Sequence, residues 1–119
     1  MPGQVTDYLP AFKENRLNGK EIGRLLFGSK IIGAFPTGGE WWIDRKKNGE
    51  ITYGGPEPIN SDIGKSRVED DLLCSQFQKL MWGVEYCATV FKNPNGTRER
   101  MNEYFFITDT GPAPFSPTQ

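Results

Sequence analysis

The sequence predicts an all-β domain: an antiparallel meander forming a small barrel or sandwich of about seven to eight strands, with one short N-terminal helix. Three observations carry this. From residue 29 onward, short runs rich in Ile, Val, Phe, Tyr and Trp are broken at close intervals by Gly, Pro and Asn. Only one stretch, "NGKEIGRLLFG", has helical spacing. And "KKNGE" carries Asn48-Gly49, a pair that favours a tight hairpin because its central residues must take positive φ.

In the helical stretch Asn18 stands where an N-cap is wanted, Glu21 completes a capping box, and Gly28 can take the left-handed C-terminal position. Ile22, Leu25 and Leu26 share a face. Two turns are too few to be stable alone, so this helix is expected to plug a barrel end or cover an edge. The strands follow as "SKIIGAF", "EWWIDR" and "EITYGG", the last two joined at Asn48-Gly49. A two-residue turn there places Asp44 opposite Tyr53 and Trp42 opposite Gly55. After the loop "PEPINSD" come "GKSRVE" and "LLCSQF", split at Asp70-Asp71; then the tip "QKLMWG", "VEYCATVFK", a connection through "NPNGT" and "RERMN", and "EYFFITD". Residues 18–111 form one domain. Residues 1–17 read as a polar, flexible or late-ordering lead-in, and 112–119 as a Pro-rich tail that cannot pair as a central strand.

The chain has 119 residues, enough for one domain with a modest core. Aromatic content of 13% argues against disorder. Basic and acidic residues, 14 against 15, are well mixed, which argues against nucleic acid. No apolar run is long enough to span a bilayer. Histidine is absent, which removes Ser-His-Asp and Cys-His catalysis and imidazole metal sites. No catalytic residue, metal ligand or cofactor is assigned. An enzyme would have to use carboxylates such as Asp44 or Glu85 with a tyrosine.

The two cysteines lie in one hairpin. Placing Cys74 opposite Cys87 puts Leu73, Ser75 and Phe77 on one face with Val84, Tyr86 and Ala88, the more apolar side. Leu72, Cys74 and Gln76 share the wetter face with Glu85, Cys87 and Thr89. Opposed positions are within disulfide reach. No C-x-x-C motif is present, and two cysteines without histidine do not fill a zinc site. A disulfide is the favoured reading, with free thiols the alternative. The first implies a periplasmic or secreted protein, the second a cytoplasmic one. The N-terminus lacks the features of a signal peptide, so an exported protein would draw its leader from outside this chain.

Trp41 and Trp42 are adjacent and must face opposite sides of a strand. The hairpin tip places Leu80, Met81 and Trp82 where polar residues are usual; it either folds back over a barrel end or acts as a lid or partner contact. Trp42, Tyr53, Met81, Trp82 and Tyr86 are therefore expected to line a ligand-binding mouth, with Arg67 supplying charge. Glu69, Asp70 and Asp71 read as a solvated turn. Asn95 to Thr97 meets the glycosylation sequon, and Pro114 to Pro117 a P-x-x-P.

The succession "EIGRLLFGSKIIGAFPTGGEWWI", "NGEITYGG", "DDLLCSQF", "GVEYCATVF", "NPNGT" and "NEYFFITDTG" resembles small exported bacterial domains of unknown function, DUF995-like, and modules appended to class III nucleotide cyclases. The resemblance covers residues 18–111 and rests on glycines, aromatics and cysteines. It implies an exported, non-enzymatic domain and transfers no catalytic residue. The expected function is binding of a small apolar or aromatic ligand, or of a protein partner, at the barrel mouth. The alternative is a regulatory or interaction module of a larger signalling protein.

Overall fold

Period-two alternation of apolar and polar residues requires a strand that has one face on a core and the other in solvent. In the computed structural model, which describes residues 13–55 and 61–118, eight such segments meet that requirement by closing on one another. They are β1 (Ser29–Ala34), β2 (Glu40–Arg45), β3 (Glu50–Gly54), β4 (Asp62–Glu69), β5 (Leu72–Phe77), β6 (Tyr86–Lys92), β7 (Tyr104–Thr108) and β8 (Gly111–Pro117). Each pairs antiparallel with its chain neighbours, and β8 returns to β1, completing an up-and-down barrel. The all-β prediction is met, and the choice between barrel and sandwich is settled in favour of the barrel.

The closing strand corrects the expectation for the Pro-rich tail. Gly111 to Phe115 ladder with β7, whereas Ser116 and Pro117 reach β1. Pro112 and Pro114 are two apart, so their missing N–H groups point to the same neighbour; that neighbour is β1, where the ladder is absent at those positions. Pro117 has the opposite parity and turns its nitrogen to β7, beyond the end of that ladder. Each proline thus meets the sheet where no donor is required. The P-x-x-P match is part of a barrel wall.

The β2–β3 register differs from the predicted one by one residue. Arg45 pairs with Ile51, Ile43 with Tyr53 and Trp42 with Gly54. The cause is the turn. Gly49 alone takes positive φ (98°), and the Gly49 amide donates to the Lys46 carbonyl at 3.0 Å. The connection is therefore a type I turn followed by a left-handed glycine, one residue longer than a two-residue Asn-Gly hairpin. The shift puts Tyr53 beside Ile43 instead of Asp44.

The helix α1 (Gly19–Leu26) carries the predicted capping box, with Asn18 Oδ1 accepting from Glu21 N–H and Glu21 Oε1 from Asn18 N–H. Ile22 and Leu26 are fully buried against β1, β4 and β5, so the helix forms the floor of the barrel. Ile31, Ile51, Val90 and Phe115 pack above it. The turn at Asp70-Asp71, expected to be merely solvated, holds this floor in place: Asp71 Oδ1 accepts from Gly19 N–H at 2.7 Å. Just before the helix, Leu17 N–H donates to the Val90 carbonyl, and Arg16 bridges to Phe91. The end of the lead-in is therefore fixed to β6; residues 1–12 lie outside the described residues.

Cys74 pairs with Cys87 in register, and the two form a disulfide. The predicted face assignment stands for Leu73, Ser75, Phe77, Tyr86 and Ala88, which point inward. Two residues depart from it: Val84 precedes β6 and is exposed, and Cys74, on the face expected to be wetter, is almost wholly buried. The cross-link spans 13 residues. Replacing both cysteines by alanine is expected to lower stability by about 3 kcal/mol in urea unfolding, through the greater freedom of the unfolded chain. A loss under about 1 kcal/mol would show that the β5–β6 ladder needs no clamp.

Candidate functional site

An eight-stranded barrel has an interior just wide enough to be filled by side chains or to hold one small ligand. Here it is filled near the floor and open above. A cavity of about 280 Å³ runs from Arg45 toward the end where the β1–β2, β5–β6 and β7–β8 connections meet. Its wall is Trp41, Ile43, Tyr53, Leu73, Phe77, Tyr86, Ala88 and Phe106, with Phe35, Leu80 and Met81 near the mouth. The indole of Trp41 lies so close over Gly33 that a Cβ there would collide with it. Glycine at 33 is what lets a tryptophan fit inside a barrel this narrow.

The polar groups are few and fall in two sets: Thr108 and Thr110, bonded to each other at the β7–β8 turn, and a run that starts at Arg45. Arg45 is only 1% exposed, on the inner face of β2 above the floor, with its guanidinium 5.9 Å from the Phe27 ring centroid. Its Nε–H donates to Ser66 Oγ at 3.0 Å, and Ser66 and Ser75 share a hydroxyl–hydroxyl bond of 2.9 Å. Nη1 of Arg45 is buried and has no hydrogen-bond partner among the described residues. No carboxylate lines the cavity among the described residues. Burial pushes the Arg45 pKa down to about 10, with the neighbouring Tyr86 opposing the shift, so the guanidinium is charged at neutral pH. Burial likewise raises Tyr86 and Tyr53, keeping both phenols neutral.

Of the six residues expected to bind ligand, Tyr53, Met81 and Tyr86 line this cavity. Trp42 does not. It lies on the outer face over Gly54, with Lys30 Nζ 4.8 Å from its ring centroid, while Trp41 takes the inward position. Arg67 is also outside. Its Nε and Nη2 form a two-point ion pair with Glu85 at 3.0 and 2.9 Å, and Nη1 reaches Glu69. Trp82 is 93% exposed at the tip of the β5–β6 connection. Asp44, the other carboxylate considered for an enzyme, is exposed on the outer face of β2, so neither it nor Glu85 meets the interior tyrosines. Sequence reasoning missed Arg45. The available signal was parity: Arg45 falls on the same side of its strand as Trp41 and Ile43, placing a cation on an apolar face.

The tip beside the mouth is a restrained turn. A tight helical turn over Leu80–Gly83 carries Met81 and Trp82 in the left-handed region, both at φ 55°. Such backbone persists only where its surroundings impose it. Asp62, 5% exposed at the start of β4, supplies the restraint: Oδ2 accepts from Lys79 and Leu80 N–H, both at 2.8 Å, and Oδ1 from Ile63 N–H. Gln76 Nε2 donates to the Gly83 carbonyl at the far side. Burial would raise the Asp62 pKa, but the amides of Leu80, Lys79 and Ile63 and the Lys79 charge outweigh it and hold the carboxyl below its ordinary value.

No family model, curated protein or solved structure matches this chain. Among the described residues no helix is long and apolar enough to cross a membrane.

The Asp62 anchor gives a pH-dependent expectation. Its folded pKa is depressed, so its stabilisation is complete above the unfolded carboxylate value of about 3.9 and is lost as pH falls through the lower folded value. Asp62→Asn is expected to lower the protection of the Lys79 and Leu80 amides, measured against their intrinsic exchange rates, at neutral pH, and to abolish the loss of protection expected of the wild type on acidification. Unchanged exchange in the variant would show that the tip is held by other contacts.

Proposed function

We propose that this barrel is a non-enzymatic binder of one small, largely apolar ligand, enclosed in its interior beneath the Leu80–Gly83 turn. The observation that carries this is the cavity. Protein interiors are packed to crystal density and rarely hold voids larger than a water molecule. Here about 280 Å³ stands open behind aromatic walls, close to the lower end of the ~300–1,000 Å³ range of ligand pockets. Its makeup, a mostly aromatic and aliphatic wall with a few convergent polar groups, fits that use. The disulfide fits an oxidising compartment, and on that ground the proposal includes a location outside the cytoplasm.

A second reading has its own observation. Trp82, Val84 and Ile63 are exposed apolar side chains at the mouth end of the molecule, as expected of a module that works by contact with a protein partner.

Titration with 1-octanol, followed through the indole N–H resonance of Trp41, separates the two. The wild type is expected to show a saturable shift. Ala88→Phe, which fills the cavity from β6, should weaken binding at least about tenfold, since the ring takes the ligand's place. Trp82→Ala should leave it within about twofold. A response that survives Ala88→Phe, or that depends on Trp82 alone, would remove the interior site and favour the surface module.

A further inference from the structure

We propose that the ligand is a monoanion, a carboxylate on an apolar body, whose acidic group seats on Arg45 at the bottom of the cavity. The inference rests on the interior-binding reading and names the chemistry of that site. A buried cation without a counter-charge is costly to a fold, and Arg45 is buried, charged and unpaired by any described carboxylate in the cavity. Were the residue only structural, its donors would be satisfied by the protein. Nε is satisfied by Ser66, whereas the buried Nη1 finds no partner among the described residues.

The surrounding hydroxyls are arranged to assist. Arg45 Nε–H donates to Ser66 Oγ, which leaves the Ser66 proton free to donate to Ser75 Oγ. The Ser75 proton is then the free end of the run, and Ser75 lines the cavity. An acceptor seated there would take a hydrogen bond from Ser75 and a charge-assisted one from Arg45 Nη1, the two-point recognition that suits a planar carboxylate. Neutral Tyr86, on the next strand and within electrostatic reach of Arg45, is a second hydroxyl on the same wall. One guanidinium balances one negative charge, which selects a monoanion over a phosphate dianion. Above Arg45 and Ser75 the wall is mostly apolar, through Ile43 and Phe77 to Leu80 and Met81. The acid therefore enters head first, and its apolar body fills the barrel toward the mouth.

Octanoate and 1-octanol share the apolar body and differ in charge, so the pair tests the head group without a variant. Near neutral pH, octanoate is expected to shift the Trp41 indole resonance with an affinity at least about tenfold tighter than 1-octanol. It should also shift the Arg45 Nε–H resonance. Arg45→Met should bring octanoate down to the affinity of 1-octanol, Arg45→Lys should keep part of the difference, and Ser75→Ala should weaken octanoate alone. Equal or tighter binding of 1-octanol by the wild type would overturn the anion assignment and leave interior binding standing. A preference for octanoate that persists in Arg45→Met, or that leaves the Arg45 resonance unmoved, would overturn the role of Arg45. No saturable response to either probe would overturn the interior-binding reading, and this inference with it. Should Arg45→Met fail to fold, the wild-type comparison and Ser75→Ala still decide the question.

Discussion

Everything in this molecule depends on the seam between β8 and β1. Only two residues of β8, Ser116 and Pro117, pair across it, yet they convert an amphipathic sheet into a container. Without closure, the inner faces of the strands would be one side of an open layer, and Arg45 would stand in water. With closure, that face becomes an interior that the helix seals from below. The interior is dry enough to lower the pKa of an arginine and raise those of two tyrosines. The low-dielectric surroundings that make Arg45 consequential are thus a product of topology.

The barrel is also filled unevenly, and the unevenness has a local cause. Near the floor, Tyr104 and Phe106 stack on Phe115, and Ile31, Ile51 and Val90 fit against the helix. Along the cavity, from the level of Arg45 upward, small residues take inward positions: Ser75 on β5, Ala88 on β6 and Ala113 on β8. Large side chains at those positions would have closed the space. The cavity is written into three small side chains, all of them compatible with a strand.

Much of the fold was legible in the sequence because it is local. The capping box at Asn18 and Glu21, the strand runs, and the Cys74–Cys87 register follow from spacing a few residues long. The misplaced tryptophan traces to a parity error. Reading Asn48-Gly49 as a two-residue turn moved the register by a single position, and a one-residue slip exchanges inside for outside. Trp42 was then sought at the site, while Trp41 and Arg45, on the other face, passed as ordinary strand residues. Arg67 and Trp82 were chosen for charge and for an apolar tip, with no register to say which way either faces. Closure was less accessible. β8 has to be recognised as a strand despite three prolines, and the reason it can be one lies in which neighbour each proline faces, a fact no stretch of sequence contains.

The hairpin of β4 and β5 ends at the floor in Asp71, which holds the first turn of the helix, and at the mouth in Asp62 and Gln76, which hold the Leu80–Gly83 turn. One two-stranded hairpin therefore sets the spacing between helix and tip, so a substitution that displaced β4 or β5 would disturb both ends of the barrel at once.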